Sequence, residues 1–162
     1  MSDATPFFDL SRPLRLVLDT NVVMALWHFV DPKLAELSAL ASSTRAVLLT
    51  RAECLDELQR VLAYRQFAIP AERQKALHAD YVALTQCLPA ADEVRQAFAL
   101  TLPRCKDRDD QKFVSLAWDA DADVLVTRDK LLLGLARKPP LRERLKILTP
   151  ERLQQLLRQA AD

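Results

Sequence analysis

The sequence predicts an α/β fold: a three-layer sandwich with a four- to five-stranded, mostly parallel sheet flanked by helices. Three observations predict it. Four short apolar runs are spaced along the chain, stretches of helical period lie between them, and each run ends on a helix-start signal.

The runs are Leu14–Leu18 (LRLVL), Ala46–Leu49 (AVLL), Asp123–Val126 (DVLV) and Leu145–Leu148 (LKIL). Their apolar residues are close to continuous rather than alternating, which is the pattern of strands covered on both faces. Asp19-Thr20-Asn21 follows the first run, Thr50 the second, Thr127-Arg128-Asp129 the third and Thr149-Pro150-Glu151 the fourth. Hydroxyl and carboxylate side chains cap the free N–H groups of a first helical turn, and proline suits the first helical position. Apolar residues at three- and four-residue spacing predict helices over 32–41, 52–64, 71–85, 92–100, 109–120 and 151–160.

The chain has 162 residues, half of them hydrophobic, enough for one domain with a continuous core. No repeat or linker divides it, so residues 1–162 are expected to form one unit. Residues 1–13, with two prolines and no long apolar run, are expected to be a flexible or loosely packed lead-in. They do not resemble a signal peptide, and nowhere do about 18 uninterrupted apolar residues occur, so no membrane partner is expected.

Composition excludes several chemistries. The single glycine, Gly134, rules out a P-loop and a G-x-G-x-x-G dinucleotide fingerprint. Cys54, Cys87 and Cys105 are far apart and form no C-x-x-C pair, which reads as reduced thiols in a cytoplasmic protein rather than a zinc site. His28 and His78 are isolated. With 23 basic and 22 acidic residues, bulk charge does not argue for a nucleic-acid partner; local patches must.

Ligands of such sheets bind beyond the carboxyl ends of the strands. Asp19 and Asp129 stand there, directly after two of the runs. In RAECLDELQRVL, a helical wheel puts Cys54, Leu55, Leu58, Val61 and Leu62 on the buried arc and Glu57 at its border, with Glu53 and Asp56 facing water. In CKDRDDQKFVSLAWDA, Asp110 lies close to the centre of the apolar face made by Phe113, Leu116, Ala117 and Ala120, and Asp109 is not much further from it. An acid on an apolar face is costly to bury unpaired, and a divalent cation would offset that cost. Asp107 and Asp109 are equally well explained as capping residues, and Thr127 can cap or orient a neighbouring carboxylate. Taken singly, Asp19 and Glu57 also have plain readings, a helix cap and a solvated helix charge. Asp19, Glu57, Asp110 and Asp129 together form an oxygen-only set that suits Mg²⁺ or Mn²⁺ and points to phosphodiester hydrolysis.

LDTNV, then ECLDELQRVL, then CKDRDDQKFVSLAWDADADVLVTRDKLLL resemble, in this order, the PIN-domain nucleases. They are most similar to the bacterial, VapC-like branch described as toxins of toxin–antitoxin pairs. The resemblance runs from about Arg15 to the final helix. It implies a PIN-like fold and a Mg²⁺- or Mn²⁺-dependent endoribonuclease, with Asp19, Glu57, Asp110 and Asp129 as metal ligands and catalytic acids. Asn21 and Thr127 would support them by hydrogen bonds. Asp110 is preferred to Asp109 because the family's third acid precedes a helix alanine by seven residues, here Ala117. Arg108 and Gln111 depart from the common D-P-D-D-D motif, while Asp107, Asp109 and Asp110 keep its acids. The partners implied are single-stranded or structured RNA, a small antitoxin protein and a second copy of the chain.

Two other readings compete. A haloacid-dehalogenase-like phosphatase needs a second acid where Asn21 stands. A PIN fold kept as an RNA- or protein-binding module would be expected to lose site acids. RNA approaching an acidic site needs cations at its rim, and Lys106, Arg108, Lys112, Arg128 and Lys130 bracket the third and fourth acids. Arg128, where the chain leaves the sheet, is the residue expected to hold a phosphate bidentately, with Lys112 and Lys130 beside it.

Overall fold

The computed structural model describes residues 7–162. Its sheet has five strands, β1 (Leu14–Leu18), β2 (Ala46–Arg51), β3 (Thr85–Leu88), β4 (Val124–Val126) and β5 (Lys146–Leu148), all parallel, in the order β3-β2-β1-β4-β5. Leu16 of β1 sits in register with Leu48 on one side and Val124 on the other.

The pleat divides the apolar runs between two cores. Leu16, Leu18, Leu48, Val124 and Val126 face one layer. That layer comprises α1 (Thr20–Val23), which continues as a π-helical turn over Met24–His28, α2 (Ala35–Ala41), α3 (Ala52–Leu62), α4 (Ala71–Leu84) and α9 (Pro150–Ala161). Val17, Leu49, Leu125 and Ile147 face α6 (Gln111–Asp119), α7 (Lys130–Leu133) and α8 (Leu141–Arg144). Leu16, Val17, Val124 and Leu125 are fully buried, and each such side chain contributes about 1.5–3 kcal/mol. Both faces are covered, which is why these runs lack alternation. α5 (Glu93–Ala99) has no buried residue and meets α6 through Phe98, whose ring stacks on Trp118 at 5.8 Å.

The fifth strand, β3, lies where a helix was expected to end. Its TQCL has two exposed residues because it forms an edge and is covered by little. Thr50 does not cap α3. It is the buried penultimate residue of β2, and Arg51 takes the extended position before the helix. The other expected caps form: Asp19 accepts from Val22 N, Asp129 from Leu131 N and Leu132 N, and Thr149 from Arg152 N.

Residues 1–6 of the expected loose lead-in lie outside the described residues. Within the remainder, Phe8 is buried in the first core and the Arg12 guanidinium donates to Asp123 at 2.7 Å. Among the described residues, no helix is long and apolar enough to cross a membrane.

The chain runs outward through β1, β2 and β3, then returns to the other side of β1 as β4. The connections therefore diverge at the carboxyl ends of β1 and β4, where a crevice opens.

Candidate active site

Asp19 follows β1 and Thr127 follows β4, so the two flank that crevice. The Asp19 N–H donates to Val126 O at 3.1 Å, which ties the turn to the sheet. Asp19 is 5% exposed. One carboxylate oxygen accepts from Val22 N at 2.9 Å and the other from the Thr127 hydroxyl. Burial pushes its pKa up; the bonds from Thr127 and Val22 oppose this, and the charges of Asp129 and Glu57 add to it.

Thr127, fully buried, also accepts from Asp129 N at 2.9 Å. One hydroxyl thus fixes both the Asp19 side chain and the Asp129 backbone. Asp129 begins α7, with one carboxylate oxygen accepting from Leu131 N at 2.7 Å.

Glu57 reaches the crevice from the second turn of α3. It accepts from the Thr20 hydroxyl and, at 2.8 Å, from Lys112 Nζ. Lys112 also donates to Asp109 O at 2.8 Å. Asn21, expected to support the acids, is exposed and forms no side-chain hydrogen bond among the described residues, whereas Thr20 is buried and its hydroxyl donates to Glu57. The sequence signal was present in LDTN, but the helix that starts at Thr20 turns position 20 inward and position 21 outward.

Asp110 closes a 3₁₀ turn, Arg108–Asp110, just before α6. Burial, a hydrogen bond with the Asp129 carboxyl, and the charges of Asp107, Asp129 and Glu57 push its pKa up to about 7. Asp107 caps the turn by accepting from Asp109 N at 3.0 Å. Asp109 is exposed and lines a shallow groove of about 300 Å³ with Glu53, Asp56, Arg60, Arg108 and Lys112. The fold therefore separates the adjacent acids, turning Asp110 toward Asp129 and Asp109 toward the groove.

The basic residues divide as well. Lys130 and Lys106 are exposed. Arg128 is engaged, its Nε and one terminal nitrogen donating to the same Glu151 oxygen at 3.0 and 2.5 Å, with Asp31 at 3.5 Å. A phosphate at Arg128 would have to displace Glu151.

Asp19 is thus coupled electrostatically to Glu57 and Asp129, and Asp110 to Glu57 and Asp129. As the side chains stand, no group of three His, Cys, Asp or Glu among the described residues is arranged to hold a metal ion. The donor chemistry nevertheless fits a hard divalent cation. The donors are all oxygens, the charges of Asp129 and Glu57 push up the pKa of both Asp19 and Asp110, and the Lys112 ammonium sits on Glu57. Both Asp19 oxygens keep a lone pair beyond their present bonds.

A family model described as PIN domain matches residues 15–131, a span that contains all four acids. No curated protein matches the chain.

Proposed function

The chain belongs to the PIN-domain family, a nuclease fold, and from that premise we propose that it is a Mg²⁺- or Mn²⁺-dependent endoribonuclease. Asp19, Glu57, Asp110 and Asp129 would hold the ion. The observation that carries this reading is that Asp19 and Asp110, at the switch point of the sheet, are both raised by burial and by the charges of Glu57 and Asp129.

A divalent ion bound there would supply a water of lowered pKa and offset charge developing on the phosphodiester. The chain's own residues do the rest. Thr127 fixes the rotamer of Asp19 and the backbone of Asp129, and Thr20 orients Glu57. Lys112 holds Glu57 while the site is metal-free and is placed to leave it for a substrate phosphate. RNA is the proposed substrate. The toxin role, a small antitoxin protein and a homodimer rest on the resemblance to the bacterial branch.

The test is cleavage of labelled RNA beside hydrolysis of a small phosphate monoester. Metal-dependent RNA cleavage, abolished by EDTA and cut at least about a hundredfold by Asp19→Asn, supports the reading. Monoester hydrolysis without RNA cleavage would indicate a phosphatase. A second reading, a binding module without catalysis, is favoured by the Lys112 contact on Glu57; RNA binding without cleavage at any metal concentration would select it.

A further inference from the structure

Beside the acidic crevice lies a ledge of aromatic rings that the proposed chemistry does not use. His28 and Phe29 come from the end of the helical segment that begins at Asp19; Tyr64 and Phe67 follow α3, which carries Glu57. Phe29 meets His28 edge-on at 4.6 Å and Phe67 at 5.7 Å, and Tyr64 stacks on Phe67 at 6.2 Å with 16° between planes. Water would normally drive such rings inward, yet Phe29 is 57% exposed and Tyr64 48%.

The backbone holds them there at a cost. Val30, directly after Phe29, has φ 48°, and Ala68, directly after Phe67, has φ 48°. Neither is a glycine, and a β-branched residue disfavours this region most. Both residues end helical turns: Asp31 N donates to Ala25 O across Val30, and Ala68 N donates to Arg65 O.

The helical segment that leads to Phe29 starts at its Asp19 cap, and α3, which leads to Tyr64, carries Glu57. Asp31, next to Val30, reaches Arg128, which precedes Asp129. Two cations stand next to these rings in the chain, Arg65 directly after Tyr64 and Lys33 four residues after Phe29. Arg65 and Lys33 are exposed, and neither has an ion-pair partner among the described residues. Exposed rings beside unpaired cations, leading to a cluster of carboxylates, match a chain of stackable bases joined by phosphates.

We infer that the ledge formed by Phe29, Tyr64 and Phe67 is a stacking platform for unpaired bases of single-stranded RNA, with Arg65 and Lys33 meeting its phosphates. Aromatic faces accept any base, so the platform selects single strands over duplexes without reading sequence. The direction of the strand toward the acids rests on the nuclease reading above; the binding itself does not.

The experiment measures binding of labelled oligouridine, and of an RNA duplex, to the full chain in EDTA by fluorescence anisotropy, where no cleavage is required. Tyr64→Phe should bind single strands as the parent does. Phe29→Ala/Tyr64→Ala should lose about tenfold or more for the single strand and little for the duplex. Arg65→Ala should reduce the salt dependence. Ultraviolet crosslinking of bound oligouridine should label the peptides carrying Phe29 or Tyr64. Single-strand binding unchanged in the double variant, at an unchanged melting temperature, would overturn the inference. So would a double variant that changes only the sedimentation of the free protein, which would make the ledge a protein contact. If the parent binds single strands through the ledge but cleaves no RNA, the nuclease reading fails and the platform stands.

Discussion

Asp110→Asn should make the metal-free protein more stable at pH 8, and by clearly less at pH 5. Asp110 is raised from an ordinary 3.8 to about 7, first by burial, then by its hydrogen bond with Asp129, then by the charges of Asp107, Asp129 and Glu57. The folded state therefore holds this proton more tightly than the unfolded chain. Its stabilising contribution is present in full below the unfolded value, falls as pH rises from about 4 to about 7, and is lost above that. At about 1.4 kcal/mol per unit the shift corresponds to about 4 kcal/mol, but the side chain is only partly buried and water screens it, so about 1–2 kcal/mol is expected. Asn cannot ionise and can still donate to Asp129. For a chain of this size the gain is a rise of about 2–8 °C in Tm. Asp19, whose pKa is also raised, adds to the loss in the same direction. The lowered carboxyls, Asp9 and Glu36, are fully exposed and act below this pH window. Thermal melts of parent and variant in EDTA at pH 5 and pH 8 decide the matter. A parent as stable at pH 8 as at pH 5, with no gain from the substitution, would refute the reasoning.

Three further outcomes follow from named contacts. Lys112→Gln removes the ammonium from Glu57 and should tighten Mn²⁺ binding several-fold, read by calorimetric titration; weaker binding would contradict the competition. Arg51→Met leaves Asp119 buried without the guanidinium that now sits at 2.9 Å, which should cost about 3–5 kcal/mol in urea unfolding, and a loss under about 1 kcal/mol would show the pair to be solvated. Val30→Asn relieves a left-handed β-branched residue and should raise stability by about 1 kcal/mol in the same assay; destabilisation would mean that the valine side chain packs against something essential.

The elements legible in the sequence were those whose burial is symmetrical. β1, β2, β4 and β5 are apolar because helices cover both of their faces. β3 is an edge strand whose four residues show neither a run nor an alternation, and it continues directly from α4, so its sequence reads as the end of a helix. The segment from Val22 to Leu26 escaped notice for the opposite reason: every residue in it is buried, so it has no polar face to reveal a period. At the site, position after a strand pointed to Asp19 and Asp129, helical phase separated Glu57 from Glu53 and Asp56, and the preference for Asp110 over Asp109 came from the family's spacing to Ala117. Long-range pairing was not legible. That Lys112 sits on Glu57 and Glu151 holds Arg128 depends on contacts 55 and 23 residues apart. The same limit hid the aromatic ledge, whose two halves meet only after α1 and α3 have packed.

The central claim is that the four acids bind a divalent ion in order to cleave RNA. Its most direct measurement is the rate of cleavage of a labelled RNA as Mn²⁺ is titrated into metal-free protein, for the parent and for Asp129→Asn. The account predicts no cleavage before Mn²⁺ is added, saturation at the Mn²⁺ Kd of the free protein, and a rate for the variant at least about a hundredfold lower at every concentration. Full cleavage in excess EDTA, or equal rates for parent and variant, would contradict it.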